Sequence, residues 1–252
     1  MKVAVAGATG RVGRHVVDVL ESRGHEVVAI SRSRGVDVIT GDGLAGALAG
    51  ADSVVDAATG PSAEQGPATE FFTTAARNLQ EAGERAGVRR MVVVSIIGTD
   101  RFTGGYGAAK MAHERVHAAG PVPARILRAA QFHEFVPVLM DWGRQGDTCY
   151  VPRMRTQLVA ARTVAGVLAD LATGADAVPA GAPVAEVAGP REESMVEMAA
   201  LLAARRGDGV RVVGVSDPND PDGLNEDGSL LPGPDAILAG PTFEEWLEAE
   251  PA

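Results

Sequence analysis

Short apolar runs alternate with longer amphipathic stretches over the first 146 or so residues. Residues 3–6, 26–30, 36–39, 53–56, 91–94 and 124–127 are rich in Val, Ile and Ala and are bounded by Gly, Asp or Pro, so each reads as a strand. Several are apolar at successive positions, as strands covered on both faces must be; a strand with one wet face would alternate. Between them, residues 11–23, 64–86 and 107–119 carry apolar side chains at helical spacing. Strands alternating with helices build βαβ units with right-handed crossovers, so the expected class is α/β with a doubly wound parallel sheet.

Beyond this region the pattern is less regular. Residues 162–172 and 192–204 read as amphipathic helices and 183–188 as a strand. Thr242-Phe243-Glu244-Glu245 begins a final helix with a capping box, hydroxyl at N-cap and carboxylate three residues on. The Asp-, Gly- and Pro-rich residues 207–241 read as a loop. A calcium loop starting at Asp217 needs Asn or Asp in fifth place and Gly in sixth, but Pro221 and Asp222 stand there. The expected organisation is a dinucleotide-sized α/β domain over residues 1–146 and a smaller region over 147–252, packed on it, partly interleaved, that supplies the substrate pocket.

Composition narrows the function classes. The 252 residues are 46% hydrophobic and 22% charged, which suits a packed core and excludes a disordered chain. A net charge of −10 repels phosphate backbones and anionic lipid, so neither nucleic acid nor a membrane surface is an expected partner. No apolar run reaches the roughly 18 residues of a membrane span, and the chain opens directly into a strand, so the expected location is cytoplasmic. The single cysteine, Cys149, can form neither an internal disulfide nor a thiolate metal cage. No heptad or apolar stripe speaks to oligomeric state.

Chemistry first shows in Gly7-Ala8-Thr9-Gly10-Arg11-Val12-Gly13, which follows the first strand and opens the first helix. Gly7 permits a tight turn, Gly10 lets the backbone approach a pyrophosphate, and Gly13 allows close helix packing. The helix start then offers free N–H groups and partial positive charge to the phosphates. An acidic residue ending the second strand would bond the ribose of NAD. The chain has Ile30-Ser31-Arg32-Ser33-Arg34 instead, a hydroxyl and two guanidiniums suited to a 2′-phosphate, so NADP(H) is expected over NAD(H).

These residues resemble the short-chain dehydrogenase/reductase superfamily, in its atypical, NmrA-like branch of NAD(P)-binding Rossmann proteins. The resemblance rests on Gly7 to Gly13 in the GATGxxG form, Gly41-Asp42, Val94-Ser95, Tyr106-Gly107-Ala108-Ala109-Lys110, and Arg128 to Phe132, and covers about the first 135 residues. It implies a Rossmann-like fold, with Asp42 beside the adenine, Ala57, Ala58 and Thr59 along the cofactor ribose, and Gln131 and Phe132 near the nicotinamide. From the residues alone, Asp42 is equally a turn residue or helix cap.

Tyr106 and Lys110 stand four apart on one helix face. A lysine so placed puts positive charge beside the phenol, whose free pKa near 10 is too high for proton transfer at neutral pH. Ser95, at the carboxyl end of a central strand, is where an open sheet presents ligand contacts. The resemblance implies Ser95 as carbonyl polariser, Tyr106 as acid/base, and Lys110 as ribose ligand and pKa modifier. The same helix also spells His113-Glu114-Arg115-Val116-His117, a formal H-E-x-x-H zinc motif. A metzincin's third ligand would fall on Pro123, which offers zinc nothing, so no metal is expected. His133, Phe135 and Trp142 are expected to line a substrate pocket, with His133 a candidate proton shuttle. The leading expectation is an NADPH-dependent reductase of a small ketone, enone or quinone. A non-catalytic NADP-binding sensor is the alternative and a zinc peptidase the remote one.

Overall fold

The computed structural model describes residues 1–174, 184–207, 209–217, 220 and 222–249. The chain divides into two compact units, Met1–Arg128 with Val164–Ala185, and Ala129–Thr163 with Glu186–Ala252. The boundary thus falls near residue 128, earlier than the expected 146. The first unit reclaims a later helix because that helix is tied to it: Arg90 Nη1 donates to the Leu171 carbonyl (3.0 Å), and Arg23 pairs with Asp170 (2.7 Å).

The first unit contains β1 (Lys2–Ala6), α1 (Gly13–Ser22), β2 (Glu26–Ile30), α2 (Leu44–Leu48), β3 (Ser53–Asp56), α3 (Gln65–Ala86), β4 (Arg90–Ile96), α4 (Gly105–Ala119) and most of β5 (Ala124–Ala129). It also holds most of α6 (Ala161–Thr173) and the start of β9 (Val184–Ala188). The parallel sheet runs β9-β5-β4-β3-β1-β2. Val3, Val5, Val54, Val55, Val92 and Val93 are fully buried, as continuous apolar strands under helices must be. Leu44, Leu48, Leu79 and Met91 join that core.

Residues 36–39 do not form the expected strand. Asp37 Oδ1 accepts the Ile39 N–H (2.7 Å), the Gly41 N–H donates to the Asp37 carbonyl (2.9 Å), and Gly41 takes φ +81°. An Asx-type turn has captured the backbone, while Val38 still buries its side chain. Asn78 of α3 holds this turn, its Nδ2 donating to the carbonyls of Val38 and Ile39 (2.9 and 2.8 Å). Consequently β2 is the sheet's edge strand.

In the second unit a helix α5 (Val136–Trp142) precedes β6 (Arg144–Gln145), β7 (Thr148–Pro152) and β8 (Arg155–Thr156). After β9 come β10 (Glu193–Ser194), α7 (Met195–Arg206), β11 (Arg211–Val215), β12 (Ile237–Leu238) and α8 (Phe243–Ala249). β12 pairs in parallel with the end of β9, Ile237 opposite Val187, as the central sheet's seventh strand. β11 pairs in parallel with β7 inside the stretch expected to be loop, because Arg211 to Val215 finds a partner distant in sequence. The core gathers Leu139, Met140, Cys149, Val151, Leu158, Met195, Leu202 and Phe243. The expected capping box forms at α8: the Glu245 N–H donates to Thr242 Oγ1 (3.2 Å) and the Thr242 N–H to Glu245 Oε2 (2.9 Å). Of the expected strand 183–188, Pro183 lies outside the described residues, and 184–188 is β9.

Candidate functional site

Strand register decides which residues share the ligand-binding edge of the first unit. Ala6 is paired with both Ile30 and Asp56, and Asp56 in turn with Val93. Gly7, Ser31 and Ala57 therefore leave their strands side by side, level with Val94 of β4, at the carboxyl edge where open α/β sheets bind ligands. The glycine loop is pressed tightly there. Gly7 has φ +73°, and a Cβ on it would stand 2.5 Å from the Ala57 carbonyl oxygen. A Cβ on Gly13 would stand 2.1 Å from the Gly7 carbonyl oxygen, so the helix start packs on the loop itself. Gly10 closes the bend by donating its N–H to Gly7 O (2.8 Å). Thr9 and Arg11 are exposed, whereas Val12 is buried under the loop. Helix α1 begins at Gly13, with the Arg14 and Val16 N–H groups already donated to the Gly10 and Val12 carbonyls (both 3.1 Å). A backbone this close, at the positive end of a helix, suits a dinucleotide pyrophosphate.

Beside the loop, Ile30 O accepts the N–H groups of Gly7 and Ala8 (3.1 and 3.3 Å), and Ser31 Oγ bonds Ser33 Oγ (3.0 Å). Arg32 and Arg34 form an exposed single turn of 3-10 helix. Asp42 is exposed and belongs to the turn at residues 37–42, its N–H donating to Thr40 Oγ1 (3.2 Å). Ala57 and Ala58 are buried and Thr59 is exposed.

Ser95 lies near the end of β4, 3% exposed, its Oγ without a hydrogen-bond partner. Tyr106 lies in the first turn of α4, its ring edge-on to Phe72 of α3 (5.6 Å between centroids). Burial raises its phenol above the usual value. The glycines around it are less free than their composition suggests. Phe102 covers Gly107, where a Cβ would stand 2.5 Å from the ring, and the Gly105 N–H donates to Gln65 Oε1 of α3 (3.0 Å).

Lys110 points inward. Its Nζ donates to the Val94 carbonyl (2.8 Å) and to His113 Nδ1 (2.9 Å), and lies 4.4 Å from the centre of the Phe72 ring. Burial lowers its pKa to about 8, against the opposing pull of Asp56 and Glu114. The side chain is thus held at the end of β4 beside Ser95, through a contact one residue away.

The H-E-x-x-H residues separate into two groups. His113 and His117 both place Nε2 on Asp56 Oδ2, at 2.9 and 3.0 Å. Glu114 instead forms a two-pronged pair with Arg128 of β5 (3.0 and 2.8 Å), and Arg128 also reaches Asp100 (3.0 Å). Asp56, His113 and His117 offer ligand atoms within 4.8 Å of one another, all buried, so the third metal-capable group is Asp56 and not a residue near Pro123. Asp56 was missed in sequence. The usable signal was a carboxylate ending a strand, followed by two small residues.

The remaining candidates lie in the second unit. Thr156 donates its hydroxyl to Gln131 Oε1, and Phe132 bridges Val159. His133 is fully buried between Phe243 and Trp246 (5.5 and 5.3 Å), and burial lowers its pKa to about 4, so its ring is neutral core. Phe135 meets Trp142 edge-on, and Trp142 is 69% exposed. Glu134 receives the Ala161 N–H (3.1 Å), a role that sequence reasoning missed. Two open depressions of about 470 and 510 Å³ lie on this unit, and no candidate residue lines either.

Residues 7–132, half of the chain, match the model of a family described as NAD(P)H-binding. A curated bovine protein, Epimerase family protein SDR39U1 (Bos taurus), is 50% identical over 44 residues, which span 18% of this chain and 15% of that protein's length. Among solved structures, the NADPH-dependent quinone oxidoreductase QOR2 of Escherichia coli, complexed with NADPH, superposes with a TM-score of 0.73 at 18% identity over 98% of each chain. MoeE5 in complex with UDP-glucose and NAD gives 0.70 at 21% identity, over 98% of this chain and 99% of that one. UDP-N-acetylglucosamine 4-epimerase from Bacillus cereus gives 0.69 at 19%, over 98% and 94%. At these identities the structural likeness establishes the fold. Among the described residues no helix is long and apolar enough to cross a membrane.

Proposed function

Since the chain belongs to the NAD(P)H-binding family, we propose that it is an NADPH-dependent oxidoreductase of the atypical short-chain dehydrogenase/reductase type, reducing a small ketone, enone or quinone. The observation that carries this reading is the contact of Lys110 Nζ with the Val94 carbonyl (2.8 Å), which joins the Tyr-x-x-x-Lys helix to the strand end bearing Ser95. The coenzyme supplies hydride when bound. Gly7, Gly10 and Gly13 hold its diphosphate, and Ser31 and Arg32 face the ribose end after β2. Ser95 Oγ, buried with its hydrogen-bonding capacity unspent, orients the substrate carbonyl. Tyr106 gives its phenolic proton to the developing oxyanion, and the Lys110 ammonium stabilises charge near it. The likeness to a quinone oxidoreductase complexed with NADPH supports this substrate class and cofactor.

The test is fluorescence titration with NADPH and NADH, followed by a carbonyl and quinone screen. NADPH is expected to bind at least about tenfold more tightly, the gain from charge-assisted phosphate contacts. Tyr106→Phe is expected to lower turnover at least about 100-fold while NADPH affinity stays within about twofold. Unchanged turnover in that variant removes the mechanism.

A second reading, a non-catalytic NADP-binding sensor, is favoured by one observation: burial raises the Tyr106 phenol above its usual value, away from proton transfer at neutral pH. Tight NADPH binding with no turnover across the panel would select it.

A further inference from the structure

The buried stripe of α4 is polar. Lys110, His113, Glu114 and His117 occupy the positions i, i+3, i+4 and i+7 that normally carry apolar core residues, and each is at most 4% exposed. Glu114 is accounted for by Arg128. The two histidines converge on Asp56, with Lys110 behind His113 and Gln80 behind His117.

An ammonium has donors only, so Lys110 Nζ must donate to His113 Nδ1 (2.9 Å). The ring proton of His113 then sits on Nε2 and is donated to Asp56 Oδ2 (2.9 Å). Gln80 is oriented by the Val122 N–H, which donates to its Oε1 (2.9 Å), so its Nε2 faces the Val122 and His117 carbonyls and His117 Nδ1 (3.2, 3.2 and 3.3 Å). The two amide protons of Gln80 are matched by those two carbonyls, and His117 Nε2 meets the same oxygen of Asp56 (3.0 Å). The Ala58 N–H completes the shell on Asp56 Oδ1 (3.0 Å). A carboxyl accepting N–H bonds on both oxygens is a carboxylate. The His113 imidazole, accepting at Nδ1 and donating at Nε2, is neutral, and the charges that face each other across it are Asp56, negative, and Lys110, positive.

Resting on the reductase reading of Lys110, we infer that Asp56 is the buried counter-ion of Lys110 and acts on it through His113, making Asp56 and His113 positioning residues that set where the lysine's amino group sits and whether it is charged. Without Asp56 an ammonium at this depth would shed its proton, since burial favours the neutral amine. The groups facing Lys110 are Asp56 from β3, His113 and Glu114 from its own helix, the Val94 carbonyl from β4 and the Phe72 ring from α3, with Tyr106 one turn away. Glu114 is neutralised by Arg128, which leaves Asp56 as the uncompensated negative charge. The arrangement also speaks against a divalent cation at Asp56, His113 and His117. A metal-bound imidazole turns its far N–H toward an acceptor, whereas here donors, the Lys110 ammonium and the Gln80 amide, stand behind both rings.

The chain contains two lysines, Lys2 and Lys110, so lysine labelled with carbon-13 at Cε yields two resolvable signals. In the wild type the Lys110 signal is expected to titrate near pH 8, against about 10.4 for a free lysine. Asp56→Asn is expected to move the midpoint down by at least about one pH unit, and His113→Leu likewise. His113→Gln, which can accept from Lys110 and donate to Asp56, is expected to restore most of it. An Asp56→Asn midpoint equal to wild type overturns the inference. Should the variants fail to fold, nitrogen-15 imidazole shifts of the wild-type protein decide the matter. His113 is expected as an Nε2–H tautomer that does not titrate between pH 5 and 9; an Nδ1–H tautomer of His113, or stoichiometric zinc in the purified protein, overturns it.

None of these readouts uses coenzyme or substrate, so they fail independently of the reductase reading. Where turnover is found, the alkaline limb of the pH profile of kcat/KM is expected to follow the Lys110 midpoint across these variants, whereas a merely structural role would change amplitude and leave the limb in place.

Discussion

Single residues at this site are constrained by what little room surrounds them. Gly13→Ala would place a methyl 2.1 Å from the Gly7 carbonyl, where backbone and not a flexible side chain must give way. The expected cost is about 1–3 kcal/mol of stability, as for overpacking, with NADPH affinity reduced at least about tenfold. Chemical denaturation and fluorescence titration measure the two separately. Loss of stability without loss of affinity would mean that the loop is structural only. Ser95 poses the opposite case: its buried hydroxyl has no hydrogen-bond partner, and the proposed reading gives it one in the substrate carbonyl.

Helix α4 shows how one element holds both the candidate chemistry and a pH liability. Burial, with the neighbouring Lys110 charge, lowers His113 to about 3, although Asp56 opposes the shift. The folded value lies below the unfolded one of about 6.5, so the unfolded chain binds more protons between these limits and stability rises with pH across them. The contribution is complete above pH 6.5 and is lost as the pH falls toward 3. Asp56 acts in the same direction: burial alone would raise its carboxyl, but the hydrogen bonds and fields of His113 and His117 hold it well below the usual range. Denaturant midpoints between pH 6.5 and 4 are expected to report a loss on the order of 3 kcal/mol from His113, and a flatter profile in His113→Gln. An equal slope in both proteins would place the acid sensitivity elsewhere. Lys110 acts with the same sign at the alkaline end. Its folded value near 8 lies below the free one, so its contribution to stability grows between about pH 8 and 10.5.

For the whole molecule, ligand binding and folding are linked. On the proposed reading NADPH occupies the assembled loops after β1 and β2, for which the unfolded chain has no equivalent, so at 100 times Kd it is expected to stabilise the fold by about 2.7 kcal/mol. For a chain of this size that corresponds to a rise in melting temperature of about 5–10 °C. Differential scanning fluorimetry with NADPH and NADH checks both the magnitude and the preference. Absence of any shift with either coenzyme would remove the dinucleotide site. The net charge of −10 leaves the exposed Arg32 and Arg34 as a local exception that can face a 2′-phosphate.

Much of this architecture was legible in the chain itself, because its causes are local. Apolar periodicity placed β1, β2, β3 and β4 and the long helices α3 and α4; turn chemistry placed the glycine loop; hydroxyl and carboxylate spacing placed the cap of α8. Where local causes competed, the reading failed. Residues 36–39 have strand composition, yet Asp37 and Gly41 made a turn, and β11 formed only because β7 lay ready to pair with it. Tertiary structure alone decided the meaning of the H-E-x-x-H string. Its histidines turn to a carboxylate 57 and 61 positions earlier, its glutamate turns to Arg128, and Lys110 is drawn into the same buried network. Sequence spacing fixes which side chains share a helix face. The charge each one carries depends on partners brought in by the packing of α4 against the sheet and α3, and no local pattern encodes them.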